Sequence, residues 1–277
     1  MAKGIGLIGN FKGKVGNTVG YKLTASNNGQ TQGIRVYQPI VKNPKSAGQA
    51  EQRAKLLAVN ATYRDLKMVI DRGNEGLPYG NKSRLAWLKG ALKAETMPWF
   101  VKGAVPSAPI GCILTKGSLP SVDYSNNAET LEIMVPDLAA GTAVDTVGKL
   151  STALLAGIPA LKEGDQLTVV AIYPAANGNA TDVKSIVLNS TSVEAQSFFT
   201  VAVGKIQHEY QDNLLGYSVI VSREGASGEH LRSNESLVIP GAKKADAPYD
   251  ADSKAAAIAS YRASAASNSD WAEESIQ

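Results

Sequence analysis

The sequence contains very little cysteine and histidine. Cys112 is the single cysteine among 277 residues, and His208 and His230 are the two histidines. One cysteine excludes a disulfide within the chain, so stability must come from a packed core or from assembly. So few thiol and imidazole groups also exclude a His/Cys metal cluster. Because no G-x-S-x-G or H-E-x-x-H motif is present, we predict no metal, no cofactor and no enzyme activity, and a structural or surface role for each histidine.

Long apolar runs are also missing. No run approaches the roughly 18–20 residues of a membrane helix, and the first residues contain no apolar stretch of the kind that marks a signal peptide. Apolar residues make up 44% of the chain and charged residues 19%, which is typical of a folded protein. We therefore expect a soluble protein that is made in a cytoplasm and has no membrane partner.

One glycine-rich segment matches the spelling of a dinucleotide-binding loop. Residues 4–9, GIGLIG, fit G-x-G-x-x-G, but that loop needs a buried strand before it, a helix after it and an acid about 20 positions on. Only three residues precede Gly4, and the first acidic residue is Glu51. The phosphate-loop pattern fails as well, because Lys14 is followed by Val15. These glycines instead favour a sharp turn or a close approach to another chain.

Charge is divided unevenly along the chain. Residues 1–103 carry 17 Lys and Arg against 5 Asp and Glu, whereas residues 104–277 carry 11 against 20. Regions of opposite charge attract each other, or each attracts its own partner. Two interpretations stay open. In one, a basic region docks on acidic regions of neighbouring copies, and in the other the N-terminal region faces a polyanion.

The basic residues near the N-terminus are the candidate contacts with a polyanion or with another subunit. They are Lys3, Lys12, Lys14, Lys22, Arg35, Lys42, Lys45, Arg53 and Lys55. The aromatic residues Phe11, Tyr21 and Tyr37 are interleaved with them. Lysines neutralise phosphates and aromatic rings stack on exposed bases, so packaged nucleic acid is a candidate partner. A solvated, mildly basic surface predicts the same pattern.

The first 103 residues divide into two segments. Residues 1–45 are rich in Gly, Asn, Thr and Lys with short β-prone pieces, and they predict an extended arm or a β-hairpin with turn residues at 27–33. Residues 46–103 predict a short helical hairpin. Its first helix begins at an S-x-x-Q capping box formed by Ser46 and Gln49.

Apolar spacing indicates which faces of these two helices are buried. The first helix carries a stripe that predicts either a core face or a contact with another chain. The stripe consists of Leu56, Val59, Tyr63, Leu66 and Ile70. In the second helix, capped by Asn81, the recurring residues are Leu85, Leu88 and Leu92, and Pro98 ends the helix by about Thr96.

The remainder of the chain predicts a β-rich domain and a tail. Residues 104–110 form a Pro/Ala/Ser linker, and residues 111–241 contain six or seven short β-branched segments separated by turns. They predict an antiparallel β-sandwich, immunoglobulin-like or jelly-roll-like, with a helix in residues 145–161 that crosses between the sheets. Residues 242–277 are rich in Ala and Ser and have little to bury, so we expect this tail to be ordered only by something outside the domain. The predicted fold class is α+β.

Two stretches resemble the paired motifs of an uncharacterised family found in gut-type bacteria and their bacteriophages. GNFKGKVGNTVGYK at 9–22 resembles GxFxGKVGNxVG, and KNPKSAGQAEQRAKL at 42–56 resembles NPxTxxQxxQRxxF. The matching residues are Gly9, Phe11, Gly13, Lys14, Val15, Gly16, Asn17, Val19 and Gly20 in the first, and Asn43, Pro44, Gln49, Gln52 and Arg53 in the second. Ser46 replaces the usual threonine, and Leu56 replaces phenylalanine.

The resemblance implies a phage structural context and no catalytic residues. Together with the motif-rich arm ahead of a sandwich, it predicts a virion protein that assembles in many copies with itself and with other virion proteins. A capsid-associated position is preferred because the basic region could face the packaged genome; a spike and a tail or connector subunit are alternatives. The runner-up is a non-enzymatic nucleic-acid-binding accessory protein. A carbohydrate or adhesion module ranks third because no export signal is visible.

Overall fold

The computed structural model describes most of the chain beyond residue 45 and three short segments before it. The described residues are 13–15, 17–22, 32–36, 46–127, 130–209, 213–226 and 228–263. The chain divides into two compact units, residues 1–45 and residues 46–277. The predicted segments 46–103, 104–110, 111–241 and 242–277 all fall within the second unit.

The described part of the first unit is a three-stranded antiparallel sheet. Strand β1 (Gly13–Val15) pairs with β2 (Thr18–Lys22), which pairs with β3 (Gln32–Val36). Val15 lies opposite Thr18, so only residues 16–17 connect the first two strands. A two-residue Gly-Asn connection of this kind is a common hairpin loop. Residues 27–31 of the predicted turn lie outside the described residues.

The second unit contains the larger set of elements. Its helices are α1 (Ala47–Asp65), α2 (Lys67–Ile70), α3 (Asn81–Ala91), α4 (Val147–Gly157), α5 (Gly241–Ala245) and α6 (Ala251–Ala263). Its strands are β4 (Ile113–Thr115), β5 (Tyr124–Asn127), β6 (Thr130–Met134), β7 (Gln166–Ala175), β8 (Gly178–Val187), β9 (Thr200–Ala202), β10 (Lys205–Glu209), β11 (Gly216–Glu224), β12 (His230–Arg232) and β13 (Glu235–Ser236). The sheet orders are β5-β6-β10-β9, β12-β11-β7-β8 and β13-β4, and every strand pair is antiparallel.

Two hydrophobic cores lie on the two faces of the sheet that contains β7 and β11. On one face, Val169 of β7 and Val219 of β11 pack with Ile133 of β6 and with Leu150 of α4. On the other face, Val170 and other side chains pack against the helices. Strand β11 is therefore buried on both sides over most of its length. The fold is α+β, as predicted, with two open sheets packed together and a helical layer behind one of them.

The predicted helix between the sheets is confirmed. Helix α4 follows β6 of one sheet and precedes β7 of the other, so it links the two. Thr146 caps it by accepting a hydrogen bond from the Lys149 backbone N–H at 3.3 Å. Gly148 allows the close approach of the 190–192 loop, since a Cβ there would lie 2.4 Å from the Ser192 carbonyl oxygen.

The first helix begins at the predicted residue, but with half of the predicted cap. The Ser46 hydroxyl oxygen accepts from the Gln49 backbone N–H at 3.3 Å, as a capping serine does. The reciprocal bond of a capping box is missing, because the buried Gln49 Oε1 has no hydrogen-bond partner among the described residues. The serine therefore satisfies the helix end alone.

The packing of two helices can be compared with the predictions. Helix α3 buries Ser83, Trp87 and Ala91. Of the predicted stripe, Leu88 and Leu92 pack against the same core, whereas Leu85 is 47% exposed, so the stripe was wrong in part. The tail was expected to be ordered only by something outside the domain, and α6 packs along α1 of the helical segment 46–103, where Ala257 is completely buried. The reason is that α1 presents a face of small residues on which an alanine-rich helix can lie closely.

Candidate functional site

The predicted basic residues fall into three groups. Lys3, Lys12, Lys42 and Lys45 lie outside the described residues, and Lys14, Lys22 and Arg35 lie in the three-stranded sheet. Arg53 and Lys55 lie on α1, where Arg53 is exposed. Lys55 makes an ion pair with Glu51 at 3.0 Å and lies 5.9 Å from the ring centre of Trp99.

The strand register brings two of the three sheet residues into line. Lys14 lies opposite Val19, and Val19 lies opposite Arg35 on the third strand. Lys14 and Arg35 therefore lie at the same level of the three-stranded ladder, whereas Lys22 pairs with Gln32 at its other end.

The predicted apolar stripe of the first helix is mostly buried. Val59, Leu66 and Ile70 are at most 1% exposed, whereas Leu56 is 39% exposed. Tyr63 is half-buried, and its hydroxyl donates to Asp71 Oδ1 at 2.8 Å. The buried face of α1 is displaced from Leu56 because the small residues Ala50, Ala54, Ala58 and Ala61 lie against the rest of the unit.

The longest open strand edge among the described residues belongs to β8. This ten-residue strand is the last in the order β12-β11-β7-β8 and pairs on one side only, with β7. The backbone N–H and C=O groups of alternate residues in an antiparallel strand point to opposite sides. One set therefore bonds β7, and the other set faces away from the sheet.

The register identifies the residues whose backbone groups face outward. Strands β7 and β8 are joined by residues 176–177, so the closing pair Ala175 and Gly178 exchanges hydrogen bonds in the ladder. On the other side of β7, the Ile172 carbonyl accepts from the Leu215 backbone N–H at 2.7 Å. Both observations mean that the backbone N–H and C=O groups of the odd-numbered β8 residues face away from β7. These residues are Asn179, Thr181, Val183, Ser185 and Val187.

Sequence reasoning identified this strand but not its position at an edge. Three of its outward residues, Asn179, Thr181 and Ser185, are polar, and the charged residues Asp182 and Lys184 form an ion pair at 3.4 Å. Polar and charged residues are typical of edge strands. That composition is the signal in the sequence, although the neighbours of a strand cannot be read from the strand alone.

An open groove of about 590 Å³ lies beside α4. Its charged lining residues are Asp137 and Lys149, and Lys149 is already paired with Asp145 at 2.8 Å. The N–H groups at the start of α4 are also engaged, because Val147 and Gly148 donate to carbonyl oxygens of the 192–194 loop. The groove therefore offers small side chains and few free donors, and we assign no chemistry to it.

One buried carboxyl group stands out by its burial and its partners. Glu235 is 5% exposed, and the Tyr124 hydroxyl donates to its Oε2 at 3.1 Å. Its Oε1 has no hydrogen-bond partner among the described residues. Burial raises the pKa of Glu235, and burial also raises the pKa of Tyr124, to about 12. Burial therefore favours the neutral carboxyl group of Glu235 and the neutral hydroxyl group of Tyr124.

The other buried polar residues of the second unit have structural partners. Asp165 is completely buried and accepts from Arg223 Nε at 2.5 Å and Nη2 at 2.7 Å. His208 is 6% exposed, and its Nδ1 lies 2.7 Å from the Phe198 carbonyl oxygen. Burial raises the pKa of the Cys112 thiol to about 12, which disfavours the reactive thiolate.

Two kinds of site are missing from the part of the chain that the structure describes. No group of three or more His, Cys, Asp and Glu residues there could hold a metal ion. None of the described helices is long and apolar enough to cross a membrane.

The open edge of β8 and the basic first unit are therefore the features that could bind a partner through backbone pairing and charge. Strand addition to such an edge uses backbone hydrogen bonds for affinity. Comparison of the chain with protein-family models, curated proteins and solved structures finds no match.

Proposed function

We propose that this chain is a structural subunit of a bacteriophage virion that assembles in many copies. The observation that carries the proposal is the open edge of β8, where ten residues pair on one side only. The occupant that we assign to this edge is a strand from residues 1–45 of a neighbouring copy. Such strand addition would satisfy the outward backbone groups of β8.

The organisation of the chain supports an exchange between copies. Residues 1–45 form a compact unit of their own, and their described strands are only three to five residues long. A small, glycine-rich sheet buries little apolar surface and gains stability from pairing with another sheet. The resemblance of residues 9–22 and 42–56 to motifs of a phage-associated family supports the virion context.

Charge supports a capsid-associated position over a spike or a tail subunit. The basic residues of the first 103 positions would face the packaged genome or the acidic regions of neighbouring copies. Lys14 and Arg35, which lie at the same level of the first sheet, would be among these residues. The partners are therefore copies of this chain, other virion proteins and packaged nucleic acid.

A proline in the open edge tests the proposal. The Ser185 backbone N–H faces away from β7, so Ser185→Pro removes an outward donor and leaves the β7–β8 ladder intact. The matched control is Ser185→Val, which also removes the hydroxyl but keeps the N–H. We expect Ser185→Pro to reduce the assembled mass measured by light scattering to that of a monomer, while Ser185→Val assembles like the unmodified chain.

The melting temperature of each variant separates failed assembly from failed folding. If Ser185→Pro still unfolds in a cooperative melting transition but does not assemble, the result supports strand addition at β8. Assembly of Ser185→Pro to the same mass as the control would show that β8 is not the acceptor edge.

A further inference from the structure

A cluster of cationic and aromatic side chains lies at one corner of the second unit, away from the open edge. It comes from three segments that are distant in sequence: Arg72 and Tyr79 after α2, Lys116 after β4, and His230 with Arg232 in β12. The positive charge of this cluster was not recognised in the sequence, because the residues are separated by up to 160 positions.

Backbone hydrogen bonds hold the three segments in one arrangement. The Lys116 N–H donates to the Gly73 carbonyl at 2.8 Å, and the Leu119 N–H donates to the Arg232 carbonyl at 2.9 Å. Gly117 permits this packing, since a Cβ there would lie 2.2 Å from the Arg232 carbonyl oxygen. The cluster is therefore presented by a preorganised backbone.

Glu75 holds the segments together, and the hydrogen bonds that its oxygens accept come from donors other than the guanidinium groups. Its Oε2 accepts from the backbone N–H groups of Ser118 at 2.8 Å and Arg232 at 3.1 Å, and its Oε1 accepts from the Ser118 hydroxyl at 2.8 Å. Burial raises the pKa of Glu75, but these hydrogen bonds outweigh it and leave the pKa below its usual value. The carboxylate is thus ionised and committed to backbone donors.

Two arginines remain without an ion pair among the described residues. Arg232 Nε donates to the Arg72 carbonyl oxygen at 3.2 Å, and neither guanidinium lies within ion-pair distance of a carboxylate in the described chain. Burial lowers the pKa of Arg232, and the positive charge of Arg72 acts in the same direction, while Tyr79 and Glu75 oppose them. An anion at this position would relieve the repulsion.

The side chains of Arg72, Tyr79 and His230 lie close together beside these charges. The Arg72 guanidinium carbon lies 5.4 Å from the ring centre of Tyr79, and the Tyr79 and His230 rings lie 5.4 Å apart at 40°. Tyr79 is 48% exposed, so part of its ring is open to a ligand. Glu224 lies opposite His230 in the ladder of β11 and β12. The second acidic residue of the cluster, after Glu75, is therefore next to His230.

We propose that this cluster binds single-stranded nucleic acid, with Arg72 and Arg232 on backbone phosphates and an unstacked base on Tyr79. Exposed aromatic rings beside unpaired arginines are the usual combination for a single strand, because every base has a face that can stack. An acidic peptide would use the arginines alone and leave the half-exposed ring unused. The proposal concerns residues other than the β8 edge and does not depend on assembly.

Binding of a fluorescein-labelled oligothymidylate of about 15 nucleotides to the full chain, followed by fluorescence anisotropy, tests the site. We expect Tyr79→Ala to weaken binding about fivefold or more, and Tyr79→Phe to bind like the unmodified chain because it keeps the stacking face. Weakening by Tyr79→Ala with rescue by Tyr79→Phe would assign the ring to a base.

The salt dependence tests the arginines. Loss of one phosphate contact in Arg72→Gln should reduce the slope of log affinity against log salt by about 0.7. Lys93→Gln removes one charge beyond the far end of α3 and should leave the slope unchanged. Unchanged slope in Arg72→Gln, equal binding by Tyr79→Ala and Tyr79→Phe, or equal displacement of the oligonucleotide by polyglutamate would each overturn the proposal.

Discussion

The buried carboxyl of Glu235 couples the stability of the fold to pH. Its pKa in the folded chain is raised above the usual 4.5 by burial. At pH values between the pKa of Glu235 in the unfolded chain and its higher pKa in the folded chain, the folded chain holds a proton that the unfolded chain has released. The stability therefore falls as pH rises through this interval, and the full penalty is present above the folded pKa. The group favours folding at acidic pH.

Replacing this acid by its neutral isostere should remove the penalty. We expect Glu235→Gln to match the unmodified chain in thermal stability near pH 4 and to exceed it at neutral pH, because the amide oxygen can still accept from Tyr124. Thermal unfolding followed by circular dichroism at both pH values checks the difference, with the exposed Glu209→Gln as control. A Glu235→Gln effect that is the same at both pH values would contradict the assignment.

Long-range residue pairs were the part that the sequence could not predict. Tyr124 and Glu235 are 111 positions apart, and Asp165 and Arg223 are 58 apart. Nothing in the local pattern of either residue indicates its partner. The structural role expected for the histidines depended only on their scarcity, and the buried His208 agrees with it.

Local signals predicted the start of one helix and misplaced the cap of another. Ser46 begins α1 because its hydroxyl oxygen accepts from the backbone N–H three residues later. Asn81 was predicted to cap the second helix, but Gly80 occupies the N-cap of α3 and no side chain caps it. Burial was predicted less well, since leucine spacing does not reveal which face finds a partner. Helix α3 buries Trp87 between small residues and leaves Leu85 exposed. The choice follows from the neighbouring elements, which are distant in sequence.

The contact between α1 and α6 depends on small side chains. Ala54 and Ala58 of α1 and Ala257 of α6 have no exposed surface. Their helices are also tied by the ion pair between Lys254 and Glu51 at 3.4 Å. An alanine-rich helix with little to bury alone is thus stable where a matching face lets it approach closely.

Enlarging a side chain at this contact should destabilise the second unit. We expect Ala257→Leu to lower the free energy of unfolding by about 1–3 kcal/mol, because the surrounding backbones must move apart. The matched control is Ala255→Leu on the exposed side of α6, which should change it by less than about 0.5 kcal/mol. Urea unfolding of both variants measures the difference, and equal values for the two would mean that α6 does not pack on α1 in solution.

At the scale of the whole molecule, the chain combines a small basic unit with a larger layered unit. The sequence predicted the boundary near residue 45 because glycine-rich strands give way to a capped helix there. It predicted the sandwich from alternating β-branched segments. It did not predict that helices cover one face of the sheet that contains β11. The apolar sequence of β11 indicates a strand buried on both faces but not which elements cover each face.

The open edge of β8 has a consequence for the state of the protein in solution. Ten residues of β8, five of them with outward backbone groups, form a pairing surface that is insensitive to salt, because hydrogen bonds and apolar contacts are screened far less than charges. Contacts that rely on the basic residues alone would weaken steeply between about 50 and 200 mM salt. Ionic strength therefore separates an assembled structural protein from a nucleic-acid-binding accessory protein.

The most direct test of assembly in many copies is the molar mass of the purified chain, measured by light scattering in about 0.5 M salt. The account predicts a mass of many multiples of the 29.0 kDa chain that persists at this ionic strength. A single species at 29.0 kDa would contradict self-assembly.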